Sequence, residues 1–77
     1  MIGNYISKSG NQIDIQMPNG KYGFSIIKGA MNYGSFDAVN VSRNIYTLAG
    51  GLIVTQIDDN RIKLDDLGIF EDFYKIS

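Results

Sequence analysis

The sequence predicts an α+β fold: a small antiparallel sheet of four to six strands, closed by one C-terminal helix, in a single domain over residues 1–77. Three observations lead there. Apolar and polar residues alternate with period two through most of the chain. Clusters rich in glycine and asparagine punctuate the alternation. From Asp65 onward the apolar spacing lengthens to that of a helix.

The first strand is predicted around Tyr5–Lys8, ahead of the turn cluster Ser9-Gly10-Asn11. Ile13, Ile15 and Met17 then alternate with Asp14 and Gln16, as a half-buried strand requires. Pro18-Asn19-Gly20-Lys21 supplies a proline for a turn corner and an Asn-Gly pair for positive φ. Tyr22, Phe24 and Ile26 form the returning strand of this hairpin. Phe36–Val41 is the next strand, with Val39 and Val41 on one face. Ile45–Leu48 and Leu52–Ile57 flank Ala49-Gly50-Gly51, and Arg61–Leu64 follows the turn Asp58-Asp59-Asn60. Leu67, Phe70, Phe73 or Tyr74, and Ile76 then recur at helical spacing, with Asp65 or Asp66 as the cap. The predicted core is Ile13, Ile15, Phe24, Ile26, Val39, Val54, Leu67, Phe70 and Phe73.

A chain of 77 residues buries only about 60 % of its unfolded surface, so its stability is thin unless something adds to it. No cysteine is present, which excludes disulfides and thiolate zinc sites. No histidine is present either, which removes imidazole ligands and the commonest general base. Self-association into a homodimer is the remaining source of added stability. Seven basic residues against eight acidic ones give no basic footprint, which argues against direct nucleic-acid binding. No apolar run reaches membrane-span length, and the expectation is a soluble cytoplasmic protein without membrane contact.

Catalysis has no inventory here: a serine nucleophile would lack a histidine to activate it, and no catalytic residue is predicted. The glycines Gly20, Gly23, Gly29 and Gly34 match neither the dinucleotide nor the P-loop spacing, so no cofactor is predicted. Asp58-Asp59-Asn60 lacks the other ligands and the glycine of a calcium loop, so no metal is predicted.

Two features remain as candidate binding sites. Asp58, Asp59, Asp65, Asp66, Glu71 and Asp72 fall in the last twenty residues, where only Arg61, Lys63 and Lys75 oppose them, a net −3. Earlier, Lys8, Lys21, Lys28 and Arg43 outnumber Asp14 and Asp37, a net +2. An acidic face of this kind can compete for a groove that normally holds nucleic-acid phosphates. Met31 and Tyr33, expected in a turn where burial is hard, are the second candidate, as interface residues.

Asn19-Gly20, Tyr22-Gly23-Phe24-Ser25-Ile26, Lys28, Tyr33-Gly34, the strand Phe36–Val41 and Asp58-Asp59 together resemble a pattern in small phage- or prophage-encoded accessory proteins of unassigned function. The likeness covers residues 17–76. It implies a small protein that binds and inhibits or modulates a host protein, including defence nucleases as anti-CRISPR inhibitors do; the acidic residues above, or Met31 and Tyr33, are the surfaces such binding would use. Two other classes compete with that reading: a small nucleic-acid-binding β-barrel and a self-assembling structural subunit.

Overall fold

The computed structural model describes all residues 1–77. Nine strands follow one another: β1 (Gly3–Ser7), β2 (Gln12–Gln16), β3 (Gly23–Lys28), β4 (Met31–Asp37), β5 (Val39–Ser42), β6 (Ile45–Thr47), β7 (Leu52–Asp58), β8 (Arg61–Asp66) and β9 (Ile69–Lys75). The one helical element is a 3-10 turn at Ala49–Gly51. The strands make a single sheet in the order β4-β3-β2-β1-β9-β8-β7-β6-β5. Every neighbouring pair is antiparallel. The fold is therefore nearly all β and barrel-like, not α+β, and it has nine strands rather than four to six.

The alternation explains the interior. Ile13, Ile15, Phe24 and Ile26 face one another across β2 and β3 and are fully buried. Val54 pairs with Leu64 on β8, and Ile62 pairs with Phe73 on β9, closing the same core from the other half. Each such side chain contributes roughly 1.5–3 kcal/mol relative to exposure. Tyr5 is buried among them, and its hydroxyl donates to the Met1 carbonyl at 2.9 Å. Burial, with Tyr22 and Asp59 adding to it, pushes the Tyr5 phenol up.

The predicted C-terminal helix is instead a hairpin strand. Leu67 and Gly68 both have positive φ, 53° and 94°, which is the two-residue turn that joins antiparallel strands tightly. Gly68, unfavourable in a helix, suits that turn, and its N–H donates to Asp65 Oδ1 at 2.8 Å. β9 then pairs with β8 on one side and β1 on the other. A helix here would have left both of those strands as open edges, with their main-chain groups unpaired. The strand buries Phe73 alone of the predicted helical stripe. Leu67 is 76 % exposed and Phe70 62 %, so neither belongs to the core. Val39 also leaves the predicted core at 62 % exposure, because its register partner is Thr47, on the outer surface of β6.

Candidate functional site

The site follows from a matter of direction. In an antiparallel sheet each strand reverses its neighbour, so the order β4-β3-β2-β1-β9-β8-β7-β6-β5 makes β4 and β5, at the two edges, run the same way. The chain does not turn between them. It passes through Ala38 as one extended segment, Met31–Asp37 lying along β3 and Val39–Ser42 along β6. The barrel is thereby left with one open seam, where β4 and β5 each have a neighbour on a single side.

Near Ala38 the seam is pinched. The Ala38 N–H donates to the Tyr22 carbonyl at 3.0 Å. The Tyr22 and Tyr46 rings meet edge to face with centroids 5.4 Å apart, and Phe24 lies 6.2 Å from Tyr46 behind them. Burial, then the neighbouring Tyr22, raises the Tyr46 phenol above its ordinary value.

Beyond the pinch, β5 and the β2–β3 loop diverge and leave a cleft of about 490 Å³. Met17, Tyr22, Ala38, Val39 and Tyr46 give it apolar walls, and Lys21 is the one charged side chain that lines it. Main-chain groups point alternately to the two sides of a strand. Since the Ala38 N–H points away from β6, toward Tyr22, the Asn40 N–H and C=O point the same way, to the open side. The Asn40 side chain is otherwise engaged, donating to the Ser42 and Ile45 carbonyls at 2.7 and 3.0 Å across the register shift of β5. The site thus combines a free strand edge with an apolar slot beside it.

Met31 and Tyr33 lie on β4 rather than in a turn. They flank the other free edge, and Met31 is 64 % exposed. Tyr33 is the residue skipped where the β3–β4 register shifts, and the Lys28 ammonium sits 5.8 Å from its ring. That bulge twists and blunts the β4 edge. β5 carries a register shift too, but its residues Val39-Asn40-Val41-Ser42 are all exposed and carry neither charge nor proline.

The six acids do not gather on one face. Asp58, the last residue of β7, and Asp59, in the β7–β8 turn, are exposed, and Asp58 Oδ1 accepts from the Asn60 N–H at 2.8 Å. Strand direction puts that turn at the opposite end of the barrel from Asp66 and the β8–β9 turn. Asp66 accepts from Lys28 at 2.8 Å, and this bond raises the lysine above its ordinary value against a smaller opposing effect of burial. Asp72 is paired with Arg61 at 3.2 Å, and Asp65 holds the turn at Gly68. Glu71 is half-buried and accepts from Ser9 and Asn11. Burial pushes its carboxyl up, but the hydrogen bonds from Ser9, Asn11 and Ser7, with Lys28 nearby, outweigh that and hold it below its usual range. Most of the acidic run therefore stabilises the barrel itself, and a lysine at Glu71 would disturb the fold.

Sequence reasoning did not find Ala38, Asn40 or Tyr46. In the fold Met31 to Ser42 runs twelve residues without a reversing turn, too long for one neighbouring strand of six, whereas in the sequence Asn32 and Gly34 read as a turn and hide it. Such a segment must lie along two different partners in succession.

No group of three or more metal-ligating side chains converges anywhere in the chain, and no helix is long and apolar enough to cross a membrane. No protein-family model, no curated protein and no solved structure matches this chain. No relative supports the resemblance to phage accessory proteins or an inhibitor of the anti-CRISPR kind, whereas the expected antiparallel sheet is present.

Proposed function

We propose that this protein is a binding module that works by stoichiometric contact with a protein partner along its open seam, without a catalytic step. The observation that carries the reading is the unpaired, uncharged edge of β5 beside an apolar cleft. A strand edge satisfies its N–H and C=O groups either with water or with another extended chain, and the second is a recurrent mode of peptide recognition. Natural proteins commonly protect such edges with lysine, proline or inward charge. Apart from the register shift between Asn40 and Ser42, β5 has no such protection, and its exposed Val39 and Val41 add apolar area.

Site-specific photo-crosslinking tests this in the cells that produce the protein. A crosslinking residue replaces Val39 in one variant and Asp14, on the outer surface of β2, in another. A partner protein is expected to be captured from position 39 and not from position 14. Equal capture at both positions, or none at position 39, contradicts the reading. Capture of a second copy of this chain at position 39 makes the seam a self-assembly surface instead.

A further inference from the structure

We infer that the cleft beside β5 takes a single extended segment of a partner protein, one that carries an apolar side chain followed or preceded by a carboxylate. This rests on the binding reading above and specifies its occupant.

The first argument is width. A strand added to β5 lies about 4.8 Å from it, and any strand behind that one lies about 4.8 Å farther out. The far side of the cleft is formed by Met17, Gly20 and Lys21 of the β2–β3 loop. A free segment placed between that loop and β5 needs only the first of these two spacings. The β5 edge of a second copy arrives with its own β6 hydrogen-bonded behind it and needs both, on a side that the loop already bounds. The slot therefore selects a terminus or a linker over the edge of a folded sheet.

The second argument is chemistry. The Asn40 N–H and C=O face the slot and provide the main-chain pairing that sets the direction and register of the segment. Just past the pinch, Ala38 and Gly20 are the two lining residues with the smallest side chains and take up the least of the slot. An apolar side chain of the segment seats there against Tyr22 and Tyr46, with the flexible Met17 adapting to its shape. Lys21 is exposed at the same site and has no acidic partner in the fold. A carboxylate on the segment supplies that partner and distinguishes acidic segments from basic ones.

The test uses the full chain, isotopically labelled, titrated by NMR with a pooled hexapeptide array. The two central positions of the peptides run through Val, Ile, Leu, Phe, Tyr and Met, and one flanking position through Glu, Gln and Lys. Shifts confined to Gly20, Lys21, Ala38 and Asn40 are expected, with Glu peptides preferred. Lys21→Glu is expected to weaken the preferred Glu peptide about two- to fivefold, the range exposed ion pairs cover, and to bind the matching Lys peptide better. An ester in place of the peptide's central amide is expected to weaken binding by removing a main-chain hydrogen bond. Ala38→Leu fills the slot and is expected to abolish binding; a melting curve establishes that it folds, and the ester peptide and Lys21→Glu carry the test if it does not. Cleft shifts indifferent to the Lys21 swap overturn the acidic-segment inference while leaving the seam as the binding edge. Shifts elsewhere, shifts that track self-association, or no shift with any peptide overturn the inference outright. Failure of the position-39 crosslink removes the binding reading itself.

Discussion

Along one side of this barrel β1 and β9 meet in a ladder, with Tyr5 opposite Lys75, Ile6 opposite Tyr74 and Ser7 opposite Phe73. Along the other side β4 and β5 share no ladder at all, although only Ala38 separates them in the chain. The residues most distant in sequence are joined, and the ones nearest in sequence are left apart. The difference comes from direction: β9 runs against β1, whereas β4 and β5 run the same way. The closed seam holds the fold together, with Asn4 and Ser77 adding main-chain and side-chain bonds at its end. The open seam is where the chain retains unused hydrogen-bonding capacity.

The contrast sets the expected effect of mutation. Phe73→Ala strikes the closed seam, where Phe73 is fully buried between Ile62 and Ser7. It is expected to cost about 3–5 kcal/mol, enough to unfold most of a domain this small, in a urea titration followed by circular dichroism. Loss below about 1 kcal/mol would mean that β9 is not integral to the core.

Leu67→Asn acts at the hairpin that begins β9. Leucine is held there at φ 53° with its side chain largely exposed. Asn-Gly is the favoured pair for a turn with two positive φ values. The variant is expected to gain about 0.5–1 kcal/mol, seen as a rise of a few degrees in Tm.

Much of the molecule was legible before its shape was known, and the two hairpins show where legibility stops. In β2 and β3 the pattern Ile13, Ile15, Phe24, Ile26 with its Asn-Gly turn gave the right strands to within a residue, since pairing partners lie close in sequence. In β9, Leu67, Phe70 and Phe73 happen to repeat every three residues, and only Phe73 turned out to be interior. What makes this segment a strand is the demand of β1 for a neighbour more than sixty residues away, which no local period encodes. The candidate site divides the same way. Met31 and Tyr33 were identifiable as exposed, but Asn40 becomes available only through the relative direction of two edge strands.

Smaller effects sharpen the comparison further. Glu71 is held below its usual pKa, so its contribution to stability is present above about pH 4.3, the unfolded value, and fades as pH falls through the lower folded value. Lys28 is raised, so its contribution is complete below about pH 10.4 and is lost only as pH climbs through the higher folded value. Tyr5 and Tyr46 are raised as well, so the alkaline fall begins near the unfolded tyrosine value of about 10. Tm is expected to be flat between the acid and alkaline falls, and Glu71→Gln to lower the plateau and shrink the acid-side fall, as scanning calorimetry across pH would show. An acid-side fall as steep in the variant as in the natural chain would assign it to other carboxylates.

Val39→Lys, on the open seam, is expected to change unfolding free energy by no more than about 0.5 kcal/mol, because the side chain is already in solvent. Any tendency of the purified protein to self-associate through β5 is expected to fall with it, as a charged edge resists strand addition. Sedimentation of both proteins at matched concentrations reads this directly, and a large loss of stability would show that Val39 is packed after all.

Residue-by-residue amide hydrogen exchange of the free protein compares the two seams in a single experiment. The amides that pair β1 with β9 are expected to exchange only through global unfolding, with the highest protection in the molecule. The Asn40 amide, facing the open seam, is expected to exchange within about tenfold of an unstructured peptide. Protection at Asn40 comparable to that along β1 and β9 would show that its N–H already has a partner, and would contradict an open binding edge at β5.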